Sequence, residues 1–294
     1  MARNILQQIR AAVANLNPNE LRQTAEQPLN VGLLASSDAS YDSMVRFFCP
    51  DTITPGKFRE CQRALHRVER PNGDLHVILY DQESAVRTEL SPKAGAFLFD
   101  PLRPELTLQE ILEHRQELGL PLARYFIPFR RPVAEKTIHA IAKENALFSL
   151  ATALPNIVPN IISLPWAVAE FGSDTAFLTV NQIRMGFLLA AANDRVVGYR
   201  EQKAEVGSII AGAVGWRSLA RELVGKIPLG GGVIPKAAIA YAGTYVVGLS
   251  LERLYRMGQG YTRQERQEAY EEAFTRGKAV AAMLLDRFRN RQPV

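Results

Sequence analysis

VGLLASSDASYDSMVRFF, residues 31–48, is the stretch on which the reading of the fold turns. Val31 to Ala35 is an apolar run of strand length, Ser36-Ser37-Asp38 a polar turn, and Tyr41 to Phe48 a helix. Strand, small-residue loop and helix follow in the order of a phosphate-binding loop. Such a loop reads Gly, four residues, then Gly-Lys-Ser/Thr. Its glycines let backbone amides face the phosphates, its lysine reaches the terminal phosphates, and its hydroxyl binds magnesium. Here the corresponding positions hold Ala35, Ser40, Tyr41 and Asp42. Both glycines are gone, a neutral ring replaces the cation, and a carboxylate replaces the hydroxyl. Asp38 and Asp42 add negative charge where a polyphosphate would sit, and no charge-assisted bond can come from the lysine position. The loop is degenerate.

Outward from this stretch, short apolar runs alternate with helical segments from residue 30 to about 130. A helix is expected near Lys57–Glu69, and a buried strand at Leu75–Tyr80 between Asn72-Gly73-Asp74 and Asp81. Ala96–Phe99 reads as a third strand. Leu106–Leu118 reads as a helix capped by Gly119, and Arg124–Phe129 as a fourth strand ended by Pro132. Unbroken apolar strands between helices imply a parallel sheet covered on both faces, an α/β domain over residues 30–132. Before it, residues 1–29 carry an amphipathic helix with Ile5, Leu6, Ile9, Ala12, Val13 and Leu16 on one face. After it, residues 133–294 lose their strands and form an all-helical domain.

The other parts of a GTP-hydrolysing site are also missing. Asp81-Gln82-Glu83-Ser84 stands where Asp-x-x-Gly is expected, and no Asn-Lys-x-Asp guanine reader occurs. Catalysis is therefore not expected, nor is a cofactor. Asp38, Asp81 and Asp100 fall at the ends of predicted strands, where a parallel sheet gathers its ligands, and together they are the candidate magnesium ligands. Asp also follows strands simply because it suits turns and helix starts. His66, His76, His114 and His139 form no metal-binding spacing, and Cys49 and Cys61 read as free thiols of a reducing compartment. The glycine-rich segment Lys226–Lys236 follows no strand and reads as a turn between packed helices.

Composition sets the outer limits. The chain has 294 residues, 47% hydrophobic and 22% charged, with a mean hydropathy of −0.08. These values exclude a disordered or collagenous chain and one with many membrane spans. Lys plus Arg number 35 against 30 acids. They interleave along Arg263–Glu272 as on a solvated helix face, so no nucleic-acid partner is expected. Arg124, Arg130, Arg131 and Lys136, with Arg287, Arg289 and Arg291 near the C-terminus, are candidate contacts to anionic lipid. The N-terminal stretch has no continuous apolar core like that of a signal peptide, which suggests a cytoplasmic protein.

In the helical half, Asn145–Ala169 is uncharged, but Pro155, Pro159 and Pro165 break it. Two short helices meeting at a corner, buried or inserted partway into a bilayer, are expected there. The helix near Ser173–Asn193 carries Asn181, Gln182 and Arg184, which are expensive in lipid. Ala237–Leu251 is rich in small residues that permit close helix approach.

Residues of about 137–260 resemble the helical domain of unknown function that follows Era-like GTPase domains in bacterial proteins. The likeness rests on Pro155–Pro159, on Leu178-Thr179-Val180-Asn181-Gln182-Ile183-Arg184-Met185, and on Gly225-Lys226-Ile227-Pro228 through Gly243-Thr244 and Gly248. It implies a degenerate P-loop GTPase-like parallel sheet followed by an all-α helical domain. It also implies a membrane-associated, non-catalytic regulatory or scaffolding protein, peripheral to the inner membrane. A protein partner such as an intact GTPase fits that reading. The alternative is a nucleotide- or magnesium-binding switch that uses the acids at the sheet edge.

Overall fold

The computed structural model describes residues 7, 9, 11, 13, 14, 16–71, 73–85, 90–153, 174–212 and 232–289. They fall into two compact units. One takes the described residues within 22–134 together with 191–195; the other takes those within 1–21, 135–190 and 196–294.

The first unit is built on a sheet of four parallel strands: β1 (Val31–Leu34), β2 (Leu65–Arg67), β3 (Val77–Tyr80) and β4 (Ala96–Leu98), in the order β2-β1-β3-β4. Every residue of β1 and β3 is buried, as an unbroken apolar run in a sheet covered on both faces requires. The register pairs Val31 with Leu65 on one side and with Val77 on the other. From β1 the chain winds outward to β2, and from β3 it winds the opposite way to β4. The switch point of this doubly wound sheet therefore lies between β1 and β3.

Val31, Leu33, Val77 and Leu79 pack with helical residues such as Met44, Phe48, Ile111 and Leu122, while Leu34, Ile78 and Tyr80 on the other face pack with Val68, Leu75 and Leu90. In chain order the helices are α1 (Pro18–Glu26), α2 (Asp38–Phe48), α3 (Pro55–Arg63), α4 (Gln82–Ala85), α5 (Pro104–His114) and α6 (Gly119–Tyr125). Phe48, Phe126 and Phe129 pack as a trio, with the Phe48 centroid 4.6 Å from Phe126 and 5.9 Å from Phe129.

Three local expectations are corrected. Leu65–Arg67 is strand rather than the end of a helix. Thr54 caps α3 by accepting from Lys57 N and Pro55 opens it, but pairing with β1 claims the chain two residues past Arg63. Arg124–Phe129 is not a strand: α6 ends at Tyr125, and α7 (Ile127–Ala153) begins two residues later. The apolar residues there, Leu118, Leu122, Phe126 and Phe129, recur at helical spacing, and all are buried. Pro132 lies inside α7 and ends nothing. Gly119 does not cap α5, which ends at His114 with Arg115 as its cap; a 3-10 turn, Gln116–Leu118, follows, and Gly119, with a helical φ of −54° and ψ of −49°, closes that turn and opens α6.

The segment 191–195 completes this unit. Asp194 adopts a φ of 58°, a left-handed conformation that Asp tolerates better than most side chains. Its carboxylate accepts from Lys57 Nζ at 2.7 Å and Arg130 Nη2 at 3.4 Å, with Arg124 Nε 3.7 Å away. Lys57 also donates to the Arg124 carbonyl at 2.7 Å and to Glu60 at 3.1 Å. Arg124 and Arg130, candidates for lipid contact from sequence, are thus engaged with a carboxylate inside their own unit.

The second unit is helical. It holds the bulk of α7, then α8 (Asp174–Ala192) up to residue 190, α9 (Val233–Met257) and α10 (Arg263–Arg289). Of the stretch predicted to be an amphipathic helix, residues 7, 9, 11, 13 and 14 are helical, and Ile9 and Leu16 are buried. Gly258, at a φ of 79°, ends α9. Thr262 and Glu265 then form a reciprocal capping box, Glu265 N to Thr262 Oγ1 at 3.2 Å and Thr262 N to Glu265 Oε2 at 2.8 Å, which starts α10. The two helices pack closely enough that a Cβ on Gly277 would lie 2.9 Å from the Ala238 carbonyl oxygen. Residues 154–169 of the proline-broken stretch, 226–231 of the glycine-rich segment, and Arg291 lie outside the described residues.

Among the described residues, Val233–Met257 is long and apolar enough to cross a membrane, by length and composition. Ala237, Ala238, Tyr241, Ala242, Val246 and Leu251 of this helix are nonetheless buried within the unit. A core helix has the same composition.

Candidate functional site

Open α/β sheets bind ligands outside the carboxyl ends of their strands, at the switch point. A cavity of about 730 Å³ opens at this edge, lined by Leu34 at the end of β1 with Ala35 and Ser36 after it, by Arg67 at the end of β2 with Val68 to Arg70 after it, and by Ser84 of α4. Its charged groups are two guanidiniums, Arg67 and Arg70, and the Glu69 carboxylate.

At the back of this edge, Asp81 bridges β1 and β3. One carboxylate oxygen accepts from the Ser36 backbone N–H at 2.8 Å and from the Ser36 hydroxyl at 2.7 Å; the other accepts from the Ser84 N–H at 2.9 Å. Burial would raise the Asp81 pKa, but the hydrogen bonds from Ser36, Ser40 and Ser84 outweigh it and hold the carboxyl well below the usual carboxylate range. The backbone amide that a phosphate-binding loop would present to its ligand is satisfied here by a carboxylate of the protein itself.

The remaining loop positions follow suit. Ser37 caps α2 by accepting from Ser40 N at 3.2 Å, which fixes the loop without glycine. Tyr41, at the lysine position, packs half-buried against the core and carries the Arg67 guanidinium 5.0 Å above its ring. Asp42 is exposed, and Ala35 is half-buried. Arg67, stacked on the ring, belongs to β2 rather than to the loop.

The three candidate acids are not brought together. Asp38 opens α2 and pairs with Arg67 at 2.7 Å, with 87% of its side chain exposed. Asp81 is held as described. Asp100 accepts from Leu102 N at 2.9 Å and from Arg103 Nε at 2.9 Å. The Leu102 amide and the Arg103 guanidinium lower its pKa. Among the described residues no group of three or more His, Cys, Asp or Glu is placed to hold a metal ion. The histidines are occupied too. His76 accepts from Asn30 N at 3.0 Å, and His139 bonds to the Tyr241 hydroxyl at 2.9 Å.

A second polar cluster lies inside the helical unit. Asn145 of α7 donates to Thr244 Oγ1 of α9 at 2.7 Å and accepts from Asn181 Nδ2 of α8 at 2.9 Å. Gln182 Nε2 reaches the same threonine at 3.3 Å. All four side chains are buried. Beside them Arg184 pairs with Glu144 at 2.6 Å. Sequence singled out Asn181, Gln182 and Arg184, and Thr244 only as a small residue of a close-packing helix, but gave Asn145 and Glu144 no role. The available signal was an Asn followed by the largely apolar run Ala146 to Leu150, which needs a partner when buried. In the sheet cavity, Arg67 escaped notice because it sat in an expected helix, and Arg70 because it lay just beyond that helix.

Comparison of the chain with protein-family models, with curated proteins and with solved structures gives no match.

Proposed function

We propose that this chain acts by binding rather than by chemistry, as a regulatory or scaffolding protein of degenerate GTPase-like character. The observation that carries the reading is the Ser36–Asp81 contact: an internal carboxylate takes the amide and hydroxyl that a phosphate would need. The P-loop likeness is carried by the local strand–loop–helix unit of residues 31–48, since the strand order β2-β1-β3-β4 is the flavodoxin-type arrangement. The loss of the lysine at Tyr41 and of the hydroxyl at Asp42 supports the same conclusion. Titration with fluorescent GTP and ATP, with and without magnesium, is expected to show no saturable binding. Micromolar affinity that disappears in Asp81→Ala would overturn the proposal in favour of a nucleotide- or magnesium-binding switch.

The helical unit is the part we assign to partners. Its resemblance to the domain that follows Era-like GTPases, and the length and composition of Val233–Met257, support reversible attachment to the cytoplasmic face of the inner membrane. An intact GTPase is the protein partner that this reading favours. In a flotation assay with anionic vesicles the full chain is expected to rise with the lipid. A monodisperse detergent-free protein that stays at the bottom of the gradient would refute the membrane assignment.

A further inference from the structure

The cavity at the sheet edge holds two arginines for which the degenerate loop has no use. Arg67 is the last residue of β2, and Arg70 follows three residues later; both line the cavity beside Glu69. Leu34 and Val68 give it an apolar wall. Two contacts fix the Arg67 side chain. Its guanidinium lies 5.0 Å above the centroid of the Tyr41 ring, and its Nη1 donates to Asp38 at 2.7 Å. Those contacts occupy one face and one nitrogen of the planar group. Its Nε and Nη2 donors have no partner among the described residues, and the Arg70 guanidinium has no hydrogen bond or ion pair there.

We propose that this cavity binds a small oxyanion-bearing ligand, a carboxylate or a phosphate monoester, on the free donors of Arg67 and Arg70. A guanidinium presents its N–H groups as a planar fork that matches two oxygens of either anion. Held on Tyr41 and Asp38, the Arg67 fork is ordered before the ligand arrives, so less rotamer freedom is lost on binding. A volume of about 730 Å³ also leaves room for an organic body against Leu34 and Val68.

Charge narrows the class of ligand. Arg67 and Arg70 are offset by Asp38 and Glu69, so these four groups carry no net charge. Binding then comes from local N–H donors rather than from a broad positive field. Such a site holds a compact anion and gains nothing from further charge on it. A triphosphate would bring its extra charge towards Glu69, Asp38 and Asp81, with no lysine at Tyr41 to meet it. The donors belong to β2 and the turn after it, not to the loop after β1. The proposal rests on the reading of the chain as a binding protein and names the ligand class.

The test titrates the full isotope-labelled chain, in a chloride buffer, with inorganic phosphate, malonate and tripolyphosphate in turn. NMR follows the backbone amides of Ser36, Arg67 and Arg70. Saturable shifts at these amides are expected at millimolar phosphate or malonate, with tripolyphosphate no tighter than phosphate. Saturation by phosphate alone assigns a phosphate monoester, and by malonate alone a carboxylate. Arg70→Gln and Arg67→Gln should each weaken binding about tenfold, as loss of one charged hydrogen-bonding partner does. Arg59→Gln, an exposed change on α3 outside the cavity, should leave it unchanged. All three arginines are exposed, so the variants keep the fold. No saturable shift with any probe, an equal loss in Arg59→Gln, or affinity that climbs steeply with probe charge would each overturn the site. Failure of the underlying reading looks different: micromolar ATP binding that is lost in Asp81→Ala and survives in Arg70→Gln.

Discussion

The knot around Asp81 and the seam around Asn145 solve the same problem with opposite materials. Each lies among apolar elements and joins segments far apart in sequence. At the sheet edge the centre is an ionised carboxylate beside an open cavity, bonded by serines and backbone amides. In the helical unit it is a neutral amide, wholly buried, that both donates and accepts. A charge is tolerable where water is near and several donors converge on it. Deeper in, where an unpaired ion is very expensive, neutral amides and hydroxyls take its place. The first arrangement answers to pH and the second does not.

That contrast can be broken in order of severity. Asn145→Ala strands the Asn181 amide and the Thr244 hydroxyl in the core, and chemical unfolding should show a loss of about 3 kcal/mol. The loss should be the same in neutral and mildly acidic buffer; a strong pH dependence would mean that the Glu144–Arg184 pair, not the amide, controls the seam. Thr244→Val keeps the shape but removes the shared hydroxyl, for a loss of about 2 kcal/mol in the same assay.

Asp81→Asn should lower stability by about 1.5 kcal/mol near neutrality, because an amide cannot accept all the bonds that the carboxylate does. Its sign with pH follows from the lowered folded-state pKa. The carboxylate's contribution is complete above the ordinary Asp value of about 4 and fades as the pH falls below it. The gap between wild type and Asp81→Asn should therefore close in acid. A gap that held constant from neutrality to pH of about 3 would show that hydrogen-bond shape, not charge, matters there. Smallest of all, Arg67→Ala removes an exposed pair with Asp38 and should shift stability by about 0.5 kcal/mol or less.

How much of this could be read from sequence depends on how local the cause is. β1, the cap at Ser37 and the helix after it are decided within residues 31–48, and the apolar runs of β1 and β3 announce strands that are buried on both faces. Leu65–Arg67 reads as polar helix because only its pairing with Val31–Leu33 makes it a strand. The run 124–129 is too short for periodicity to separate strand from helix; Leu118, Leu122, Phe126 and Phe129 decide it only when the window is widened upstream. At the candidate site, the missing lysine at Tyr41 is plain in the sequence. The occupant of the vacated amide is not, because Ser36 and Asp81 are 45 residues apart and meet only through the β1–β3 register.

Asp194 gives the α/β unit an unusual timetable. Lys57, Arg124 and Arg130 are all present once the first 134 residues exist, but the carboxylate that they surround belongs to a segment from 191 to 195. During synthesis from the N-terminus, the ribosome must add some sixty further residues before this charge cluster can close. An expression clone cut at residue 134 would carry three cations with no counter-charge at their centre. By this logic the helices between are an insertion within the α/β unit, and its last piece arrives only after they have been made.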